Sequence, residues 1–372
     1  MKYYIIAGEA SGDLHGSELI KALRMVDANA EIYCWGGDLM QKAGGVLRKH
    51  YRELAFMGFA EVIANLRTIL RNITLCKKDI DAFQPDAVIF IDYPGFNMRI
   101  AKWAKAKKYR TIYYISPQIW AWKENRIHAL RRDVDKMFVI LPFEKDFYEN
   151  KHGFKVEFVG HPLLDVISNR PVPDAPTFRK EYGLSDRPII ALLPGSRKQE
   201  IRKMLDIMLS VVPNFPQYQF VIAGAPGLEE DFYRQYLTPH VGFVSNRTYD
   251  LLALAHAALV TSGTATLETA LFNVPEVVCY RGNWISYQIA KRIITLKYIS
   301  LVNLIMDKPV VTELIQDDLN TARLRQELTR ILDENHRQQL FSEYAALRTA
   351  LGNAGAAVNT ANGIFNYLQK SY

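Results

Sequence analysis

Cysteine is scarce in this chain of 372 residues, which has three. Cys34, Cys76 and Cys279 are far apart, odd in number and form no Cys-x-x-Cys pair. That pattern argues against a disulfide framework or a zinc site, and for a reducing compartment. Long apolar runs are also missing. The N-terminal stretch Met1-Lys2-Tyr3-Tyr4-Ile5-Ile6-Ala7-Gly8-Glu9 is too short in apolar residues for a signal peptide. No window reaches the roughly 20 consecutive apolar residues of a membrane-spanning helix. The longest uncharged stretch, Leu251 to Leu267, is broken by His256, Thr261, Ser262 and Gly263. There is no short-period repeat and no low-complexity tract. Hydrophobic residues make up 49% and aromatic residues 12%, which excludes a disordered or fibrous chain.

The length points to two or three domains. Lysine and arginine outnumber aspartate and glutamate by 46 to 39, a net charge of +7. A positive balance favours anionic partners: nucleic acid, acidic lipid or phosphorylated small molecules. The excess is local. Between Val62 and Arg110 the bases are Arg67, Arg71, Lys77, Lys78, Arg99, Lys102, Lys105, Lys107, Lys108 and Arg110, against Asp79, Asp81, Asp86 and Asp92.

Short apolar runs rich in Ile, Val, Tyr and Phe predict strands at Tyr3–Ala7, Glu31–Trp35, Ala87–Asp92, Thr111–Ser116, Met137–Leu141 and Val156–Val159. Helical patterns lie between several of them, which implies a mostly parallel sheet with helices on both faces. Pro171, Pro173 and Pro176 beside Asn169 and Asp174 mark a linker over residues 169–176. A second series follows at Pro188–Leu193, Gln219–Ala223, Gly242–Ser245, Ala258–Thr261 and Glu276–Tyr280. Helices should dominate from about Glu313 onward. The expected organisation is a first domain over 1–168, a second over 177–345 and a C-terminal helix within 346–372 that packs back on the first. Two doubly wound halves leave a cleft between them, the usual place for a ligand.

Three loops join a strand end to a helix. Gly8-Glu9-Ala10-Ser11-Gly12-Asp13-Leu14-His15-Gly16 is not Gly-x-Gly-x-x-Gly, and acids intrude, which argues against a dinucleotide site. It is either a ligand loop or a tight turn with Ser11 or Asp13 capping the helix. Leu193-Pro194-Gly195-Ser196-Arg197 repeats the geometry in the second half. Arg197 there either grips a phosphate or lies in solvent beside an N-capping Ser196. In Ser262-Gly263-Thr264-Ala265-Thr266-Leu267-Glu268 the backbone of Gly263 and Thr264 suits a diphosphate and Glu268 the hydroxyls of a ribose; ordinary helix-start chemistry is the alternative. Asp92, at the end of an apolar strand, is a general-base candidate or an Asx-turn before Pro94. Ser116-Pro117-Gln118-Ile119-Trp120-Ala121-Trp122 ends the next strand with polar and aromatic groups, and His161 follows the last.

From Val62 to Lys78, Val62, Leu66, Ile69, Leu70 and Ile73 fall at helical spacing, with Arg67, Arg71 and Lys78 on the other side. The stripe suits either an amphipathic helix on an anionic bilayer or a core-packed helix with a solvated basic face. Met57-Gly58-Phe59 just before it favours the membrane.

Taken in order, the segments Gly8–Gly16, Gly36–Met40, Met57–Val62, Ile91–Asn97, Ser116–Trp122, Phe158–Pro162, Leu193–Ile201, Ser262–Glu268 and Leu301–Asn303 resemble the lipid-A-disaccharide synthase family of glycosyltransferases. Met306-Asp307-Lys308-Pro309 departs from the family pattern. The resemblance implies a GT-B fold, two Rossmann-like doubly wound domains facing an interdomain cleft. It implies inverting transfer of 2,3-diacylglucosamine from UDP to the 6-hydroxyl of 2,3-diacylglucosamine 1-phosphate (lipid X), without cofactor or metal. Asp92 would be the base. Arg197, Gly195, Ser196, Gly263, Thr264, Glu268 and Asn303 would hold UDP, and Ser11, Asp13, His15 and Gln118 the acceptor. Leu66, Arg67, Ile69, Leu70, Arg71 and Ile73 would touch the cytoplasmic face of the inner membrane. A homodimer fits this picture. Another GT-B enzyme on UDP-sugars, such as a polyprenyl-linked acceptor transferase or an epimerase, is the nearest alternative. Nucleic-acid binding has charge alone in its favour, with no recognised motif.

Overall fold

A computed structural model describes residues 1–54, 66–168, 170–225, 228–282 and 297–370. Met57, Gly58, Phe59, Val62 and Ile63, the Leu66 side chain and Asn169 lie outside these described residues. The chain divides into two compact units, one of Met1–Asp165 with Leu351–Tyr372 and one of Val166–Ala350.

The first unit is built on β1 (Lys2–Ala7), β2 (Glu31–Gly36), β3 (Val46–His50), β4 (Ala87–Ile91), β5 (Arg110–Tyr114), β6 (Lys136–Val139) and β7 (Glu157–Phe158). They pair in the order β3-β2-β1-β4-β5-β6-β7, and every pairing is parallel. The near-continuous apolar sequences of β1 and β4 fit strands covered on both faces. Alternation divides them. Tyr4, Ile6, Val88 and Phe90 pack on one side with Ile73, Cys76 and Ile80 of the helix Leu66–Phe83. Tyr3, Ile5, Ile89 and Ile91 pack on the other with Leu19 and Leu23 of the helix Ala10–Val26. That second side is completed by Ala357, Ala361, Ile364 and Leu368 of the helix Ala356–Gln369. Gly363 is required there, because a Cβ would stand 2.5 Å from the Phe138 ring.

The second unit contains β8 (Ile189–Leu193), β9 (Gln219–Gly224), β10 (Val241–Ser245), β11 (Ala255–Thr261), β12 (Glu276–Tyr280) and β13 (Thr312–Ile315). Their order is β10-β9-β8-β11-β12-β13, again parallel throughout. Each sheet therefore winds outward from its first strand, then reverses at its fourth. The crevice above the carboxyl ends at that reversal is where such sheets bind ligands. It falls between β1 and β4 in the first unit and between β8 and β11 in the second.

The basic helix Leu66–Phe83 faces two ways. Ile73 is 8% exposed and in the core, and Ile69 packs against it. Spacing explains this: positions 69, 73, 76 and 80 lie on one face. Neither Ile69 nor Ile73 is thus on the outward side. Leu70 and Leu75 are the exposed apolar residues, 53% and 47%, beside exposed Arg67, Arg71 and Lys78. No helix among the described residues is long and apolar enough to cross a membrane.

Candidate active site

The second unit has a cavity of about 350 Å³ at its reversal point, lined by the ends of β8, β9 and β11 and the loops that follow them. Gly195, Ser196, Gly263, Thr264 and Glu268 all line it. Two helices start at its wall, Lys198–Leu209 and Thr264–Leu271, and neither has a side-chain cap at its N-terminus. Neither Ser196 nor Thr264 supplies the cap that the alternative reading required. Uncapped N–H groups and the positive end of a helix favour an anion. Gly263 has φ +149°, and a Cβ there would meet nothing within 4 Å, so the loop is open on the cavity side. Glu268 accepts a 2.7 Å hydrogen bond from the Tyr249 hydroxyl. Burial raises its carboxyl above the ordinary value, against the pull of that hydroxyl.

Two of the expected nucleotide residues stand elsewhere. Arg197 is exposed and is the N-cap residue of its helix, and the cavity lining stops at Ser196 and resumes at Glu200. Asn303 is buried and bonded within its own loop. Its amide donates to the Val311 carbonyl at 2.9 Å and to Glu313 at 3.0 Å, and its oxygen accepts the Val311 N–H at 2.9 Å. Glu313 also takes the N–H groups of Ile299 and Ser300, and Ser262 of the cavity donates to the Ile299 carbonyl at 2.9 Å. Asn303 and Glu313 thus hold the segment that Ser262 of the cavity contacts.

In the first unit, Asp92 follows β4 at the other reversal point. It and Tyr93 have φ +43° and +49°, consecutive left-handed residues that are costly for non-glycine side chains. Hydrogen bonds hold the bend. The Asp92 carbonyl accepts from the Tyr113 hydroxyl at 2.6 Å and the Asn97 amide at 2.7 Å, and its N–H donates to the Ile115 carbonyl at 3.2 Å. The side chain is held by no Asx-turn of the predicted kind. Burial first, then the nearby charge of Glu9, push its carboxyl up to about 6; the Tyr93 N–H pulls the other way.

The loop after β1 is filled from within. A Cβ on Gly8 would come within 2.2 Å of the Tyr93 ring. Ser11 is exposed, and Ser11 and Asp13 both lie inside the helix Ala10–Val26 rather than capping it. Asp13 is 3% exposed and accepts the N–H groups of Gly37, Leu39 and Met40 at 2.8, 3.1 and 3.0 Å. Its carboxylate holds the short helix Asp38–Lys42 in place, a role invisible from spacing. Burial lowers His15 to about 4 and His161 to about 3, so both are neutral at pH 7. Gln118 is exposed.

Sequence reasoning missed Glu144. Its carboxylate accepts from Ser116 Oγ at 2.6 Å, Trp120 Nε1 at 3.2 Å and the N–H groups of Ile140 and Leu141 at 3.2 and 2.9 Å. It ties the loop after β5 to the loop after β6. Its signal was faint: a glutamate two residues after Pro142, at the start of a short helix.

The two-sheet architecture is GT-B-like, shared with solved glycosyltransferases and UDP-GlcNAc epimerases. The chain superposes with a TM-score of 0.67 and 14% identity on the glycotransferase of kitacinnamycin, covering 99% of each chain. It superposes with 0.64 and 13% on the UDP-GlcNAc 2-epimerase of Neisseria meningitidis bound to UDP-GlcNAc, covering 100% of each. Such distant likenesses establish the fold and leave transferase and epimerase undivided.

Sequence divides them. A family described as lipid-A-disaccharide synthetase matches residues 3–360. The lipid-A-disaccharide synthase of Syntrophus aciditrophicus (strain SB) is 40% identical over 377 residues, covering 99% of this chain and 98% of the relative. That of Coxiella burnetii (strain CbuG_Q212) is 38% identical over 372 residues, with 98% of each covered. The chain belongs to the lipid-A-disaccharide synthase family of glycosyltransferases.

Proposed function

We propose that the protein transfers 2,3-diacylglucosamine from UDP-2,3-diacylglucosamine to the 6-hydroxyl of lipid X, with Asp92 as the base. The acceptor oxygen attacks C1 of the donor sugar as the bond from C1 to the β-phosphate oxygen breaks. The acceptor proton goes to Asp92 and UDP leaves. An α-linked donor gives a β-1′,6-linked disaccharide 1-phosphate by a single displacement.

The observation that carries this reading is Asp92 itself: a carboxyl at a sheet reversal point, on a bend held by hydrogen bonds, raised to about 6. A base near that value is mostly ionised at pH 7 yet still basic enough to take a proton in the transition state. The second-unit cavity supports the donor half. Backbone N–H groups at Ser196 and Gly263–Thr264 suit the diphosphate, and Glu268 suits the ribose hydroxyls. Arg197, at the start of the helix beside Ser196, would meet negative charge developing on the leaving UDP. Ser11, His15 and Gln118 would line the acceptor, with Asp13 holding their surroundings. Leu70 and Leu75 among exposed Arg67, Arg71 and Lys78 suit peripheral contact with an anionic membrane.

Purified protein given both substrates should yield the disaccharide and UDP in equal amounts. Absence of disaccharide, or UDP without it, would overturn the proposal.

A further inference from the structure

The loop after β5 carries a cationic cluster that the reaction above does not use. Trp122 is 48% exposed. Lys123 Nζ stands 4.1 Å from its ring centroid and the Arg126 guanidinium carbon 5.6 Å. The arrangement is built. Lys123 is in the left-handed region at φ +57°, ψ +44°, and its carbonyl accepts the Arg126 N–H at 3.0 Å. Upstream, Glu144 holds Ser116 and Trp120, the Tyr148 hydroxyl holds the Pro117 carbonyl at 3.1 Å, and Trp120 meets the edge of Phe143.

The charge is not neutralised locally. Glu124, between the two cations, is occupied by Lys151 at 2.7 Å and His152 at 2.9 Å. Neither Lys123 nor Arg126 forms an ion pair among the described residues. The place is also informative. β5 adjoins β4, and the Tyr113 hydroxyl of β5 bonds the carbonyl of Asp92. An acceptor whose 6-hydroxyl is at Asp92 carries its 1-phosphate on the far side of the same sugar ring. The two cations lie on the loop that follows the strand next to that of Asp92, a place suited to a group on the same acceptor as the 6-hydroxyl.

We propose that Trp122, Lys123 and Arg126 form the subsite for the phosphate monoester of the lipid acceptor. This rests on the reaction proposed above. The indole supplies a flat apolar wall for the sugar and holds the two cations in register; the cations take the phosphate oxygens. The subsite is a specificity element: it selects a phosphorylated acceptor.

The test is steady-state kinetics of the full chain with lipid X and with the same acceptor lacking its 1-phosphate, plus binding to phosphatidylglycerol vesicles. In the variant carrying Lys123→Ala and Arg126→Ala, KM for lipid X should rise at least about tenfold, with kcat and the donor KM nearly unchanged. Wild type should prefer lipid X over the dephosphorylated acceptor, and the variant should lose that preference. Arg126→Lys should keep most of it. Unchanged preference in a folded variant overturns the proposal. So does a loss of vesicle binding with both lipid KM values rising together, because the cations would then serve membrane headgroups. If wild type itself makes no disaccharide, the underlying reaction falls and this subsite with it.

Discussion

The two sheets share a strand order, yet their reversal points are chemically opposite. In the second unit the crevice is made of backbone. Gly263 leaves open space, the helix N-termini have no side-chain caps, and the walls are mostly small residues, with Glu200 and Glu268 the acids among them. In the first unit the same place is filled by side chains. Tyr93 occupies the space over Gly8, and carboxyls crowd in: Asp92 beside Glu9, with Asp13 spent on three amides. One topology thus serves two tasks. A crevice rimmed with backbone N–H groups suits a diphosphate, and a crevice filled by side chains around a raised carboxyl suits a base. Winding of the chain positions the crevice, and the residues of its loops decide its charge.

The comparison can be broken at its strongest point. Asp92→Asn should lower kcat by about a thousandfold and leave donor binding nearly intact. Wild-type turnover would remove the contrast. The wild-type pH–rate profile should rise through about pH 6, where Asp92 ionises. The same substitution should stabilise the fold in alkali. Asp92 has a folded pKa above its unfolded value, so its ionisation costs native stability as pH rises through 6. The asparagine variant should therefore be more stable by roughly 2–3 kcal/mol at pH 8 and equal to wild type below pH 4, as chemical denaturation would read.

On the other side, Arg197→Ala should cut kcat/KM for the donor by about a hundredfold, close to 3 kcal/mol of transition-state stabilisation. An unchanged value would return Arg197 to the surface. A smaller effect separates scaffold from site. Asp13→Ala should cost about 2 kcal/mol of stability by leaving two buried amides and one part-buried amide unpaired, and should lower activity only in proportion to the folded fraction. A large loss of kcat in folded protein would show that Asp13 touches substrate. Smallest of all, Leu70→Ser with Leu75→Ser should weaken vesicle binding a fewfold and leave the melting temperature within a degree or two. Ile73→Ser, by contrast, should unfold the helix from the core.

Much of the fold could be read from apolar runs, because strands covered on both faces must be apolar throughout. β3 and β13 escaped for the complementary reason. Both are edge strands, and Val46-Leu47-Arg48-Lys49-His50 and Thr312-Glu313-Leu314-Ile315 carry charge on partly exposed positions. At the site, Gly195, Ser196, Gly263, Thr264 and Glu268 were legible because loop, helix start and strand end are all local in sequence. Asn303 and Asp13 were named for ligand contact, and the structure shows scaffold bonds at both. Their polar atoms are engaged by backbone groups, and for Asn303 also by the Glu313 carboxylate, that the folded chain brings near. Glu144 was missed on the same account, since its partner Ser116 is 28 residues away.

The helix Ala356–Gln369 has a consequence for how the protein is made. It completes the core of the first unit, and its preceding turn at Gly355 is bonded to Asp165, 190 residues earlier. During translation the first sheet leaves the ribosome early with this apolar face only partly covered, by the helix Ala10–Val26, and the face is completed once Ala356–Gln369 emerges. The intervening stretch can fold meanwhile, which shortens the effective loop that must close. The nascent chain therefore carries an unfinished apolar face until that helix docks, and a chaperone that shields the face would act in that interval.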